Sequence, residues 1–273
     1  IFFLDAVVKI SKDTFKVMFE KSKNQDFDIV LSDKKLIENS KNQRENNFYY
    51  NKDMIFENNN INLEIKKRLY DPSYYGGLIG ITGRLIKRSM LIKNNLFFQN
   101  GLRYLEDEIF SWDILSYCKK IKYIKRQLYS YYTHPNKKTA ISEAFINGYP
   151  IQNFKIAKKH VLKCFKLRGE SSETSEALAN QAFIYFIIGS LISFSRSIIL
   201  KKVDTDTAKL IKKKMISNIL KDKEVKLAIK DYRCQKDENK WIPFAIKWRL
   251  KVLLNFMCSS RAKQIIKMRK NKF

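Results

Sequence analysis

The first 32 residues constrain the fold more than any other stretch. Ile1 to Val8 is a short apolar run of β-forming residues, and Ile29 to Ser32 is a second. Between them, Ser11 and Asp13 offer N-cap chemistry to a helix carrying Thr14, Phe15, Val17, Met18 and Lys21, and Asn24 to Asp28 supplies a turn. Strand, helix and strand at that spacing predict an α/β unit.

The chain then turns polar. Lys34 to Asn62 is Asn-rich and predicts a loop or an insertion over a sheet edge, with NNFYYNKDMIF pairing as an edge hairpin. Half of the 8 glycines follow as a cluster, Gly76, Gly77, Gly80 and Gly83. No strand feeds a G-x-G turn there and no acid follows at ribose distance, so the cluster is no dinucleotide fingerprint. It predicts a close backbone approach at a pocket wall. A short basic helix is expected from Leu85 to Lys93, and short strands from Ile121 to Ile124 and from Leu128 to Tyr132.

Between these elements lies LRYLEDEIFSWDILS, Leu102 to Ser116, headed by Glu106, Asp107 and Glu108. The apolar spacing that follows predicts a helix reaching about Lys120, with the carboxylates in its first turn. There they complement the positive end of the helix dipole, which accounts for them without any reaction.

The composition bounds the partners. With 54 Lys and Arg against 27 Asp and Glu the net charge is +27, and most of the excess lies beyond residue 150. Such a field suits a polyanion: nucleic acid, anionic lipid or a phosphorylated glycan. No helix-turn-helix, finger or RNP-like pattern supports nucleic acid. Cys118, Cys164, Cys234 and Cys258 are scattered without ligand spacing, so zinc and a disulfide framework are not expected, and the thiols read as reduced in a cytoplasmic protein. The opening apolar run is too short for a signal segment and is interrupted by Asp5.

The second half is helical by period. Pro150 to Leu167 sets Phe154, Ala157, Val161, Cys164 and Phe165 on one face, and Gly169 ends it. Glu173 to Leu200 holds AFIYFIIGSLISF, which reads as a buried core helix. Asp204 to Leu220 repeats the amphipathic pattern. From Trp241 to Cys258 a single helix is expected, with Trp241, Ala245, Trp248, Val252 and Phe256 as its apolar stripe and Arg261, Lys263, Lys267, Arg269 and Lys270 beyond it. That segment suits either packing on its own domain or the surface of an anionic membrane.

An FLDA strand, a DIV strand, GRLIKRSMLIKNNLFF, GLRYLEDEIF and LYSYYTHPNKKTAIS, in that order over roughly residues 1 to 145, resemble the C-terminal portion of bacterial family 2 glycosyltransferases of the GT-A type. The resemblance implies an α/β fold with a partial GT-A (Rossmann-like) sheet in residues 1–148, followed by the basic, all-helical C-terminal region read above from its period, 149–273. Phe3, Leu4 and Asp5 match the F-L-D strand end, making Asp5 the donor-binding carboxylate and ligand of a divalent cation, Mn2+ or Mg2+. Glu106 and Asp107 match the E-D pair. Asp107 is then the base that deprotonates the acceptor hydroxyl, and Glu106 its support. His134, with Pro135 and Asn136, matches the turn after the tyrosine-rich strand and is a candidate contact for the donor diphosphate.

Two places depart from the family pattern. Val7 and Val8 stand where further acids hold the cation, and Tyr132 stands where the family has arginine. The family's nucleotide-binding strands precede its F-L-D strand, so a C-terminal piece of such an enzyme is expected. The implied activity is inverting transfer from a nucleotide sugar to a lipid-linked glycan acceptor of lipooligosaccharide or capsule type, in the cytoplasm at the inner face of the cytoplasmic membrane. An inactive remnant or structural protein, and a basic nucleic-acid-binding protein, are the alternatives.

Overall fold

The computed structural model describes residues 1–273 except 24, 39–41, 44–47, 72–76, 103, 134–139, 149, 236–237 and 271–273. The first half is a mixed sheet with helices. It runs β1 (Val8–Ile10), α1 (Thr14–Ser22), β2 (Ile29–Glu38), β3 (Asn42–Gln43), β4 (Met54–Glu57), α2 (Asn58–Tyr70), β5 (Arg84–Ile86), α3 (Arg88–Lys93), α4 (Glu106–Tyr117) and β6 (Lys120–Thr133). The helices α5 (Ala140–Ile146), α6 (Pro150–Leu167), α7 (Ser172–Ile199), α8 (Thr205–Lys221), α9 (Lys223–Asp231), α10 (Trp241–Lys247) and α11 (Lys251–Lys270) follow.

The expected opening unit is present with shifted edges. Of the run Ile1 to Val8, Phe2 and Phe3 bridge to Leu85 and Thr82, the chain turns at Asp5, and the regular strand starts only at Val8. Thr14, not Asp13, makes the side-chain bonds at the head of α1, donating to the Ser11 and Leu128 carbonyls at 2.8 and 2.7 Å.

Sheet order is β1-β6-β2-β3, with β4 on β6 and β5 on β2. The two short strands expected from Ile121 to Tyr132 are one strand, β6, parallel to β2 and antiparallel to β1 and β4. A bulge near Lys125 and Arg126 breaks its register, pairing Ser32 with Ile124 but Asp33 with Gln127. The charged pair in that bulge is what made the strand look interrupted.

The polar segment from Lys34 is more ordered than its composition implies. It extends β2 to Glu38 and ends in β4 and α2. Asn58 to Asn60 disguise the first turn of α2, yet Ile61, Ile65 and Leu69 at four-residue spacing are all buried. The basic segment from Leu85 divides into β5 and α3.

In the helical half α7 is the hub, touching α2, α5, α6, α8, α9 and α11. Among the described residues it is the 1 helix long and apolar enough to cross a membrane, but Phe183, Ile187, Leu191 and Phe194 are fully buried against its neighbours, as a core helix requires. The expected single helix from Trp241 breaks in two. Arg249 takes a left-handed φ of 58°, its N–H donates to Ile246 O at 3.2 Å, and Leu250 N–H donates to Ala245 O at 2.9 Å. This is a Schellman cap, normally a glycine's work, so the apolar spacing hides it.

Candidate functional site

The acidic head of α4 lies where the chain start, the glycine segment and β6 converge. Phe3 packs edge-on against Phe110 with ring centroids 5.5 Å apart, and Phe98 fills the corner at 4.3 Å from Phe110. That stack fixes the chain two residues before Asp5 against the helix that starts at Glu106. Asp5 sits exposed in a turn closed by Val8 N–H to Asp5 O at 3.0 Å. Val7 O accepts from Tyr132 N at 2.9 Å, so β6 holds the turn from its other side.

The helix begins abruptly. Leu105 adopts a left-handed φ of 66° and offers no side-chain cap, while Asp107 Oδ1 accepts the N–H of Glu108 at 2.7 Å. Asp107 is otherwise exposed. Glu106 and Glu108 are partly buried, and burial pushes both carboxyls above the usual range, with the Asp107 charge pushing the same way. Around Glu108, Arg68 and Arg84 pull in the opposite direction, and Trp112 Nε1 donates to it at 3.3 Å.

Tyr131 lies on β6 within electrostatic reach of both Asp5 and Asp107. Burial raises the Tyr131 hydroxyl pKa, and the charges of Asp5 and then Asp107 raise it further. Lys34 Nζ lies 5.6 Å from the centre of the Tyr131 ring. Its own pKa is lowered by burial, then by Arg84 and Arg68. The structure thus puts a lysine over a tyrosine whose hydroxyl senses the charge of both carboxylates. Of the residues expected from sequence, Asp5, Glu106 and Asp107 come together here, while His134 lies outside the described residues.

The glycine segment forms one wall. Gly80 N donates to Ser111 Oγ at 2.8 Å, one helical turn beyond Asp107, and the Arg84 guanidinium donates to the Gly77 and Leu78 carbonyls. A Cβ on Gly83 would lie 2.2 Å from the Tyr129 ring, and one on Gly77 2.6 Å from Tyr49. The close approach expected of this cluster is therefore real at both positions. Behind it, Asp33 accepts from Tyr49 N at 2.8 Å and from the Tyr123 hydroxyl, and burial raises its pKa.

Sequence reasoning passed over Tyr131, Lys34, Arg68 and Arg84. The tyrosine-rich strand was visible, but which tyrosine lies under Lys34 depends on the register of β6 after its bulge. Among the described residues no group of three or more His, Cys, Asp or Glu could hold a metal ion, and Val7 and Val8 offer no ligand. The described side chains alone therefore do not make a cation site.

No protein-family model matches the sequence, and no curated protein matches it. Solved structures do. TarS residues 1–349 from S. aureus in complex with UDP-GlcNAc aligns with a TM-score of 0.55 at 14% identity, covering 96% of this chain and 67% of that one. The same protein with UDP gives 0.54 at 13%, and a further structure of TarS residues 1–349 gives 0.52 at 13%, each covering 96% of this chain and 66% of that one. The shared feature is the architecture, and the chain has a glycosyltransferase-like fold with a helical C-terminal region.

Proposed function

We propose that the chain is an inverting glycosyltransferase that moves a sugar from a nucleotide-sugar donor to a lipid-linked acceptor of a surface glycan, lipooligosaccharide or capsule. The observation that carries this reading is the fold shared with a UDP-GlcNAc-bound protein, in which the Phe3–Phe110 ring contact sets the segment leading to Asp5 against the helix headed by Glu106 and Asp107.

Asp107 is the exposed carboxylate at the helix head. It takes the proton of an acceptor hydroxyl as that oxygen attacks the anomeric carbon, and the bond to the diphosphate breaks with its electron pair on the leaving nucleotide. Glu106 and Glu108 are partly buried beside it, which leaves Asp107 as the carboxylate of the three that is open to an acceptor. Asp5 orients the donor. The work takes place in the cytoplasm at the inner membrane face, with residues 241–273 as the contact to anionic lipid. A catalytically silent relative is the second reading, favoured by Val7 and Val8 in place of acids.

Titration calorimetry of the purified chain with UDP-GlcNAc, with and without Mn2+, is expected to give saturable binding. Asp107→Asn is expected to leave that affinity within about twofold while lowering turnover by roughly a hundredfold or more, the scale of a lost general base. Retained turnover would refute the base, and absent donor binding would leave only the fold.

A further inference from the structure

We propose that the corner where α10 meets α11 is a membrane-docking wedge, and that its partner is an anionic phospholipid bilayer. The idea deepens the acceptor class named above and rests on that reading for its purpose, although the contact itself is argued from the corner alone.

Six large apolar side chains crowd the outside of this corner: Trp241, Phe244, Trp248, Leu250, Val252 and Phe256. Their exposures include 56% for Trp241, 62% for Trp248, 84% for Val252 and 62% for Phe256. The aromatic three form a continuous outward ladder, Trp241 to Phe244 at 5.4 Å and Phe244 to Trp248 at 6.2 Å between ring centroids. The opposite sides are already occupied. Ile242, Ala245 and Ile246 of α10 and Leu254, Cys258 and Ala262 of α11 are buried, with α10 packing on α9 and α11, and α11 on α7 and α8. Both helices are anchored by one face, and the outward face is a second apolar surface that the fold does not use.

The break at Arg249 creates this geometry. A continuous helix would carry Trp241 and Phe256 over four turns in line, whereas the capped turn at Trp248 to Leu250 gathers both helix ends into one projecting corner. Charge selects the partner. Lys240, Lys247, Arg249 and Lys251 are all exposed around it, and no Asp or Glu follows Glu238 in the sequence. Aromatic rings flanked by lysine and arginine suit the boundary between head groups and acyl chains, where rings enter and cations meet lipid phosphates. Nucleic acid would use the cations and rings but gains little from Leu250 and Val252 standing in water.

The test is flotation of the full chain with vesicles of phosphatidylglycerol and phosphatidylethanolamine, beside phosphatidylcholine vesicles, with tryptophan emission recorded. Trp112 is fully buried, so a shift reports Trp241 and Trp248. The expected result is flotation with the anionic vesicles only, a blue shift, and weakening as salt rises. Trp248→Ser with Phe256→Ser is expected to weaken binding by roughly tenfold or more with an unchanged melting curve. Replacing Lys247 and Lys251 by Gln is expected to cost roughly fivefold per charge. No flotation, or flotation indifferent to the apolar pair, overturns the proposal. So does binding of a single-stranded oligonucleotide, or a dimer lost in the apolar pair, when vesicles are not bound. Donor binding is not read, so failure here leaves the transferase reading standing, and the reverse holds.

Discussion

Burial at Glu108 works against its own charge. Its folded pKa is raised, so the stabilisation it offers is complete below the ordinary glutamate range and is lost as pH rises through the raised value. Glu108→Gln keeps an acceptor for Trp112 Nε1 and removes the ionised form. Its melting temperature is expected to match wild type in acid and to exceed it at neutral pH. A constant offset across the pH range would contradict this assignment. Gly83 makes the opposite kind of demand, since its φ of 72° and the Tyr129 ring 2.2 Å from any Cβ both exclude a side chain. Gly83→Ala is expected to cost more than about 2 kcal/mol by chemical denaturation, and Tyr129→Leu in the same chain is expected to recover part of it. At this scale Asp5 and Asp107 were candidates from sequence because each sits in a motif whose neighbours are sequential. Tyr131 and Lys34 were not, because they reach the site through a β6 to β2 register that a bulge resets.

Elements were legible where one period ran unbroken. The helices α6, α7 and α8 lie within a residue or two of expectation because their apolar spacing, the Gly169 stop and the Asp204 cap agree. The misses share a cause: a local signal outvoted by packing. Asn58 to Asn60 look like a loop but precede the buried stripe of α2, and Arg249 ends α10 in a conformation that propensity assigns to glycine. Lys212 stands in a run of three lysines on α8, yet its ammonium is buried against α11, donating to Ser259 Oγ at 2.9 Å and Asn255 O at 3.3 Å, and burial lowers its pKa to about 8. The unfolded chain binds that proton up to the ordinary lysine value, so wild-type stability should rise between pH 8 and that value, by about 3 kcal/mol at most. Lys212→Met should remove the rise and be the more stable protein at pH 7. Urea titrations at several pH values measure both.

The whole molecule has one principal hydrophobic cluster, which includes Ile29 and Ile121 of the sheet, Trp112 of α4, and Leu254 and Cys258 of α11. Sheet and helices therefore share apolar contacts, and unfolding should be one cooperative transition in which loss of Trp112 near-UV signal coincides with loss of helical far-UV signal. Two separated transitions would show that the halves hold themselves. Fold class was readable at this scale, since short apolar strands followed by long amphipathic helices leave few alternatives. Strand order was not, because no local signal says that the last strand lies beside the first.

That placement of β6 has a consequence for how the protein is made. Strands β1, β2 and β4 all bond to a partner that leaves the ribosome after them, up to 123 residues behind the strand it meets, as the pairing of Val8 with Tyr131 illustrates. Until Thr133 has emerged, the earlier strands have edges and no centre, so the nascent chain must wait, exposed to capture by chaperones or by its own copies, for the one segment that closes it.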